Sequence, residues 1–136
     1  MPSHYVVWVE RSTVVFGNSV GETVLVGDVQ DVTDWQEAIV QVGVMASTAT
    51  TSNDVRWNLE TCSFADNNPF WESVLTADQP LSKTPGTSVV FRIVAGDPAV
   101  RLPMRRWLRV FLTHYSSTAS QSVTIQVQLQ LKERVL

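Results

Sequence analysis

Val123-Thr124-Ile125-Gln126-Val127-Gln128-Leu129-Gln130-Leu131, followed by Lys132, puts every apolar side chain at an odd position and every polar one at an even position. A period of two is the signature of a β-strand, whose successive side chains point to opposite faces. A helix, at 3.6 residues per turn, would scatter the same residues around its circumference. The same device recurs upstream: Ala38, Val40, Val42 and Val44 share one side of residues 37–45. Within 55–62, Val55, Trp57, Leu59 and Thr61 alternate with Arg56, Asn58, Glu60 and Cys62, which predicts one apolar and one wet face. Residues 107–114 differ, because Leu108, Val110 and Leu112 take one face while Trp107, Arg109 and Phe111 take the other, so both sides are expected to be covered.

Further stretches rich in β-branched and aromatic residues lie at 5–9, 13–16, 23–26, 71–75 and 88–94. Turn-forming clusters separate them at Gly17-Asn18, 31–34, 47–54, 66–69, 83–86, 96–98 and 116–121. The window 33–38, with Thr33 or Asp34 as a cap, reads as a turn entering a strand, and the Ser/Thr-rich 47–52 as a long hairpin loop. Short strands at regular spacing predict an all-β chain, an antiparallel β-sandwich of jelly-roll-like form with about eight strands.

The length of 136 residues suits one domain spanning 1–136, with residues 1–5 as a flexible arm. A hydrophobic share of 44% against 17% charged describes a chain able to bury a core. Ten Lys and Arg against thirteen Asp and Glu give a net charge of −3 and no general attraction for phosphate, so neither nucleic acid nor an anionic membrane is an expected partner. The lone Cys62 excludes an intrachain disulfide and a thiolate metal cluster. The first ten residues carry no basic leader, the apolar run 5–9 is short for a signal sequence, and no stretch nears the ~20 apolar residues of a membrane helix. Synthesis in the cytoplasm without a signal peptide is the expectation, one that a virion protein shares.

Chemistry is sparse. His4 and His114 are the two histidines, and neither falls in a metal-ligand spacing. Cys62 sits mid-strand with no basic neighbour in sequence, and no GxSxG turn is present, so His114 reads as a strand-end histidine. Asp28, Asp31 and Asp34 lack the glycine and the terminal glutamate of a calcium loop and read as solvated turn residues. Gly17, Gly21 and Gly27 form no nucleotide-binding pattern. A non-enzyme with no cofactor and no metal is expected.

One local anomaly is basic: Arg101, Arg105, Arg106 and Arg109 crowd around Pro103. Two readings stand side by side, a solvated strand entrance and an interface, since guanidinium forks bind oxyanions and arginine with tryptophan is enriched where proteins meet. Arg105, Arg106, Trp107, Arg109 and Phe111 are the interface candidates.

Two segments carry a resemblance. Thr33-Asp34-Trp35 leading into 38–44, then 55–61, a polar turn and Trp71, is similar to a pattern in small β-sandwich structural proteins of tailed phages and gene transfer agents. Met104-Arg105-Arg106-Trp107-Leu108-Arg109-Val110 with the closing run 123–131 resembles the aromatic-x-Arg-Val and final strands of that group. The resemblance covers residues 33–132. It implies a non-enzymatic component of a phage or phage-like particle, a capsid decoration or auxiliary head protein located in the virion. Its implied partners are capsid or other particle proteins and further copies of itself. The same aromatic-Arg-Val strand also resembles the galactose-binding-like jelly roll of carbohydrate-binding and discoidin modules, which would bring a glycan to Trp35 or Trp71.

Overall fold

The closing strand sits where its alternation demands, at the centre of a sheet with one face on the core. A computed structural model describes residues 3–17, 19–63, 70–94, 96–116 and 120–133. Nine strands follow in chain order: β1 (Ser3–Phe16), β2 (Thr23–Asp31), β3 (Glu37–Ser47), β4 (Val55–Cys62), β5 (Glu72–Ser73), β6 (Gln79–Pro80), β7 (Ser88–Ile93), β8 (Trp107–His114) and β9 (Gln121–Lys132). They form two antiparallel sheets, the first ordered β1-β9-β3-β7 and the second β2-β8-β4-β5, with β6 on the edge of β4. The pairs β1·β9, β2·β8, β3·β7 and β4·β5 nest inside one another, so the chain is one long hairpin rolled up, closed by β3·β9 and β4·β8. That nesting is the jelly roll.

The odd residues of β9, Val123, Ile125, Val127, Leu129 and Leu131, are all buried and face Val40, Val42 and Val44 of β3 across the same side of the ladder. Opposite them the second sheet contributes Trp57 and Leu59 from β4 and Leu108, Val110 and Leu112 from β8, each fully buried. Removing a Val, Leu or Ile side chain from water is worth roughly 1.5–3 kcal/mol, so β9 alone supplies on the order of 10 kcal/mol against the entropy of ordering it. Slipping its register by one residue would drive Gln126, Gln128 and Gln130 into that core.

Several elements depart from the sequence expectation, each for a local reason. Residues 5–9 and 13–16 are one strand, not two, because β1 runs through with register shifts between Val7 and Val9 and between Val9 and Ser12. The shifts bury the consecutive Trp8 and Val9, which breaks the alternation that would have announced the continuity. The expected arm at 1–5 is a strand at its far end: Ser3, His4 and Tyr5 pair with Lys132, Leu131 and Gln130, while residues 1–2 lie outside the described residues. Loop 47–54 is not a hairpin, since β3 and β4 belong to different sheets and the loop crosses between them. Of the strand expected at 71–75, Glu72–Ser73 pairs with β4 and Leu75 makes an isolated antiparallel bridge to Val100; Val74 and Leu75 turn into the core, with the Val74 amide bonded to the Leu59 carbonyl at 2.8 Å. The turn expected at 66–69 lies outside the described residues.

The outer edges of the sheets meet where β1 crosses β2. Three residues of β2, at positions 27–29, face the single Arg109, because Val26 pairs with Val110 and Gln30 with Leu108. Gly27 adopts φ +72°, and a Cβ there would stand 2.7 Å from Val9 Cγ2 and 3.2 Å from the Trp8 carbonyl oxygen. Trp8 Nε1 donates to the Asp28 carbonyl at 2.6 Å and locks the crossing. Gly27→Ala is therefore expected to cost about 1–3 kcal/mol from combined backbone strain and overpacking. Gly86→Ala, at φ +85° but with open space around the new Cβ, should cost only about 1 kcal/mol. Urea midpoints of the two variants check the difference.

Candidate functional site

On the second sheet, the outer face of β8 is built by cross-strand pairs. Arg109 stands directly opposite Glu60 of β4, donates from Nε to Glu60 Oε1 at 2.9 Å, and closes an ion pair with the same oxygen through Nη2 at 2.8 Å. Its guanidinium lies 4.1 Å from the Trp71 ring centroid, a cation–π contact that covers one face of that indole. Arg106 lies over Trp107 at 4.9 Å. Its carbonyl accepts from the Val32 amide at 2.8 Å, while the Arg105 amide donates to Thr61 Oγ1 at 2.8 Å. Arg56 lies 4.1 Å from the Tyr115 ring centroid, and the Tyr115 hydroxyl donates to Asp78, a bond that raises the phenol's pKa. Asn58 donates to Asp78 Oδ1 at 2.8 Å and accepts from the Leu75 amide at 3.3 Å.

The face expected to be wet on β4 is thus partly sealed. Asn58 and Cys62 are buried, covered by the 70–81 segment and by the paired Trp107. Phe111 keeps only 7% of its surface and is a filler between β2 and β4 instead of an exposed anchor. Trp107, Arg105 and Arg109 are half-buried, and Arg106 is the exposed member of the set. Arg101 reaches Glu72 at 3.9 Å. The structure therefore brings Arg105, Arg106, Trp107, Arg109 and Phe111 onto one face together with Trp71. Trp35 stands apart, in the turn after β2, stacked on His4 of β1 with centroids 5.9 Å apart.

The remaining candidates have structural surroundings. His114 is fully buried and stacks on Phe16, centroids 5.0 Å apart. Gln121 Nε2 donates to Asp54 Oδ2 at 2.8 Å, which turns Gln121 Oε1 toward His114 Nε2 at 2.9 Å and places the imidazole proton on Nε2. Asp28 is engaged through its carbonyl by Trp8, and Asp31 closes a turn by accepting from the Thr33 hydroxyl and amide, bonds that lower its pKa. Among the described residues no group of three or more His, Cys, Asp or Glu is placed to hold a metal ion, and no helix is long and apolar enough to cross a membrane.

The first sheet offers a second face that residue patterns did not single out. Its outward rows are Tyr5, Gln130, Ile39 and Arg92, and next to them Val7, Gln128, Gln41 and Val90. Tyr5 is 73% exposed, Val7 62% and Val90 60%. The signal was present in the even positions of β9, where Ser122, Thr124, Gln126, Gln128 and Gln130 carry no charge at all.

No protein-family model matches the chain, and no curated protein matches it in sequence. Its backbone does have counterparts. In fold the chain is similar to part of a chain in structures of infectious bursal disease virus. A structure of the Gx strain of infectious bursal disease virus matches over 98% of this chain at 14% identity and a TM-score of 0.61. The VP2 subviral particle of the same virus matches over 99% at 14% identity and a TM-score of 0.54. The chain spans 32% and 38% of those two chains, about a third of their length. A capsid structure of Ralstonia phage GP4 overlaps 99% of this chain and 86% of its own at 15% identity, with a TM-score of 0.48.

Asp54 ties the inter-sheet loop together. Its carboxylate accepts from the Thr50 hydroxyl at 2.7 Å, Gln121 Nε2 at 2.8 Å, the Thr51 hydroxyl at 2.9 Å and the Thr51 amide at 3.1 Å. These bonds, that from Thr50 first, hold its carboxyl far below the usual carboxylate range. A depressed folded-state pKa stabilises the fold above the unfolded value of ~3.9 and loses that contribution as pH falls toward the folded value. Acid unfolding followed by circular dichroism should accordingly be less steep below about pH 4 in Asp54→Asn than in the parent, with lower stability at pH 7.

Proposed function

We propose that the chain is a non-enzymatic structural component of a virus or phage-like particle, a capsid decoration or auxiliary head protein that acts through protein–protein contacts and assembles with copies of itself. The observation that carries this reading is the match of nearly the whole chain, 98% of it at a TM-score of 0.61, to one part of a chain in a structure of infectious bursal disease virus. The build of the second sheet's outer face agrees with it. Arg109 is held by Glu60 and the Trp71 ring and Arg106 lies over the Trp107 ring, so a partner would meet side chains whose rotamers are already restricted, which lowers the entropy lost on docking, while Thr61 fixes the backbone at Arg105. Arg106 and Leu25, the latter paired opposite Phe111, are exposed groups on this face. Repetition by particle symmetry multiplies modest contacts of this kind into a stable array.

Arg106→Glu is expected to lower capture of particle proteins from the native lysate by about tenfold, as loss of a single charged contact does at an interface. Its thermal midpoint should move by less than about 2 °C, because Arg106 is a surface residue. Light scattering of the parent should give a mass above that of one chain. Undiminished capture by the variant, or a parent protein that stays monomeric and binds no particle component, overturns the reading.

A further inference from the structure

The outer face of the first sheet has a composition unlike the rest of the surface. A shallow trough of about 230 Å³ runs across β1, β9 and β3, lined by Tyr5, Val7, Ile39, Gln41, Gln128 and Gln130 among others. Charge is confined to its rims. Glu37 and Arg92 neutralise each other in an ion pair with Lys132 beside Glu37, and Glu10 and Arg11 lie beyond Val7 at the β1 bulge. Between those rims the two cross-strand rows present one tyrosine, three aliphatic side chains and three primary amides.

Each of these groups has a defined posture. Gln130 Nε2 donates to the Tyr5 hydroxyl at 2.8 Å, which holds the phenol beside the trough with its ring 73% exposed. Gln41 donates to Ser88 Oγ at 3.1 Å and pairs directly across from the exposed Gln128. Directly paired residues on one face carry Cβ atoms about 4.5–5.5 Å apart. Two amides at that separation offer donors and acceptors together, the combination that matches neighbouring hydroxyls, each of which both donates and accepts. The exposed Tyr5 ring beside them offers an apolar platform for the C–H face of a sugar ring.

We propose that this trough is a binding site for a neutral carbohydrate, with Tyr5 as the stacking platform and Gln41, Gln128 and Gln130 as the hydroxyl-binding groups. The lack of charge between the rims matches a ligand without charge, and an acidic glycan would find no cation across the amide rows. A second copy of the chain fits less well. Its interface core would have to desolvate three glutamine amides in the middle of the patch, and each costs free energy unless it is re-bonded. Sugar hydroxyls satisfy such amides and tolerate intervening water. The site lies on the opposite sheet from Arg106 and stands whether or not the chain is a particle protein.

An array carrying neutral oligosaccharides of hexoses, pentoses and N-acetylhexosamines, with sialylated and sulfated counterparts, tests it directly. The full chain should retain neutral glycans in preference to the acidic ones. Calorimetry with the best neutral oligosaccharide should then show about tenfold weaker binding for Tyr5→Ala and for Gln128→Ala, and a change within about threefold for Tyr5→Phe, which keeps the ring. Arg106→Glu should leave sugar binding unchanged, so failure here and failure of the particle reading are separable. Circular dichroism confirms that each variant is folded. Retention of no neutral glycan, preference for acidic ones, indifference to Tyr5→Ala, or a dimer that Tyr5→Ala dissolves would each overturn the assignment.

Discussion

The pairing of β9 between β1 and β3 is the constraint on which the rest of the molecule hangs. It joins residues near the two ends of the described chain, as in Tyr5 against Gln130 and Phe16 against Gln121. It also brings β3 into the same sheet from the middle of the sequence. Once that ladder is formed, β2, β4 and β8 lie in sequence between strands already paired with one another. They form the second layer. Contacts of such long sequence separation close large loops before they are rewarded, which places this fold among slowly assembling topologies. The strict alternation of β9 is what makes so costly a closure specific to one register.

In the second sheet β8 holds the corresponding central place, but its outer face is treated differently. Whereas β9 shows amides and hydroxyls to solvent, the outer face of β8 carries half-buried Trp107 and Arg109 and buried Phe111, and the chain folds residues 70–81 back over the neighbouring β4. Burial of Asn58 follows from that covering, and its amide becomes the bridge between β4, Asp78 and the Leu75 backbone. Glu60 and Arg109 are paired across strands with side chains only 22% and 23% exposed, an environment where a charge-assisted hydrogen bond is less screened than on an open surface.

Strong alternation made parts of this architecture legible from residues alone. Residues 55–62 and 107–114 form β4 and β8 with the boundaries their patterns imply, and the two-sided burial of β8 follows from its two apolar sets. Where a bulge inserts residues, the period-two signal fails: Trp8 and Val9 are consecutive and both buried, so β1 read as two strands. Alternation also says which way a side chain points without saying what lies there. Cys62 and Asn58 point outward from β4 as expected, yet they are buried because a segment distant in sequence covers them. The arginine cluster was visible as a local excess, but its fixed geometry depends on Glu60 and Trp71, tens of residues away.

The two outer faces consequently solve the problem of an exposed sheet in different ways. The second holds its guanidinium groups in place, Arg109 on Glu60 and Trp71 and Arg56 on Tyr115, and leaves Arg106 as an exposed charge. The first avoids charge across its central rows and leaves amides that water satisfies in the free protein. An amide row of this kind is poorly suited to the dry core of a protein interface and well suited to a ligand made of hydroxyls. Flat uncharged sheets also invite edge-to-edge pairing, and here the geometry opposes it: the outer strand β1 is broken by two register shifts, which interrupt the ladder a further strand would need. The bulges that hid β1 from the sequence pattern are thus the same feature that opposes extension of the glutamine-rich sheet at its β1 edge.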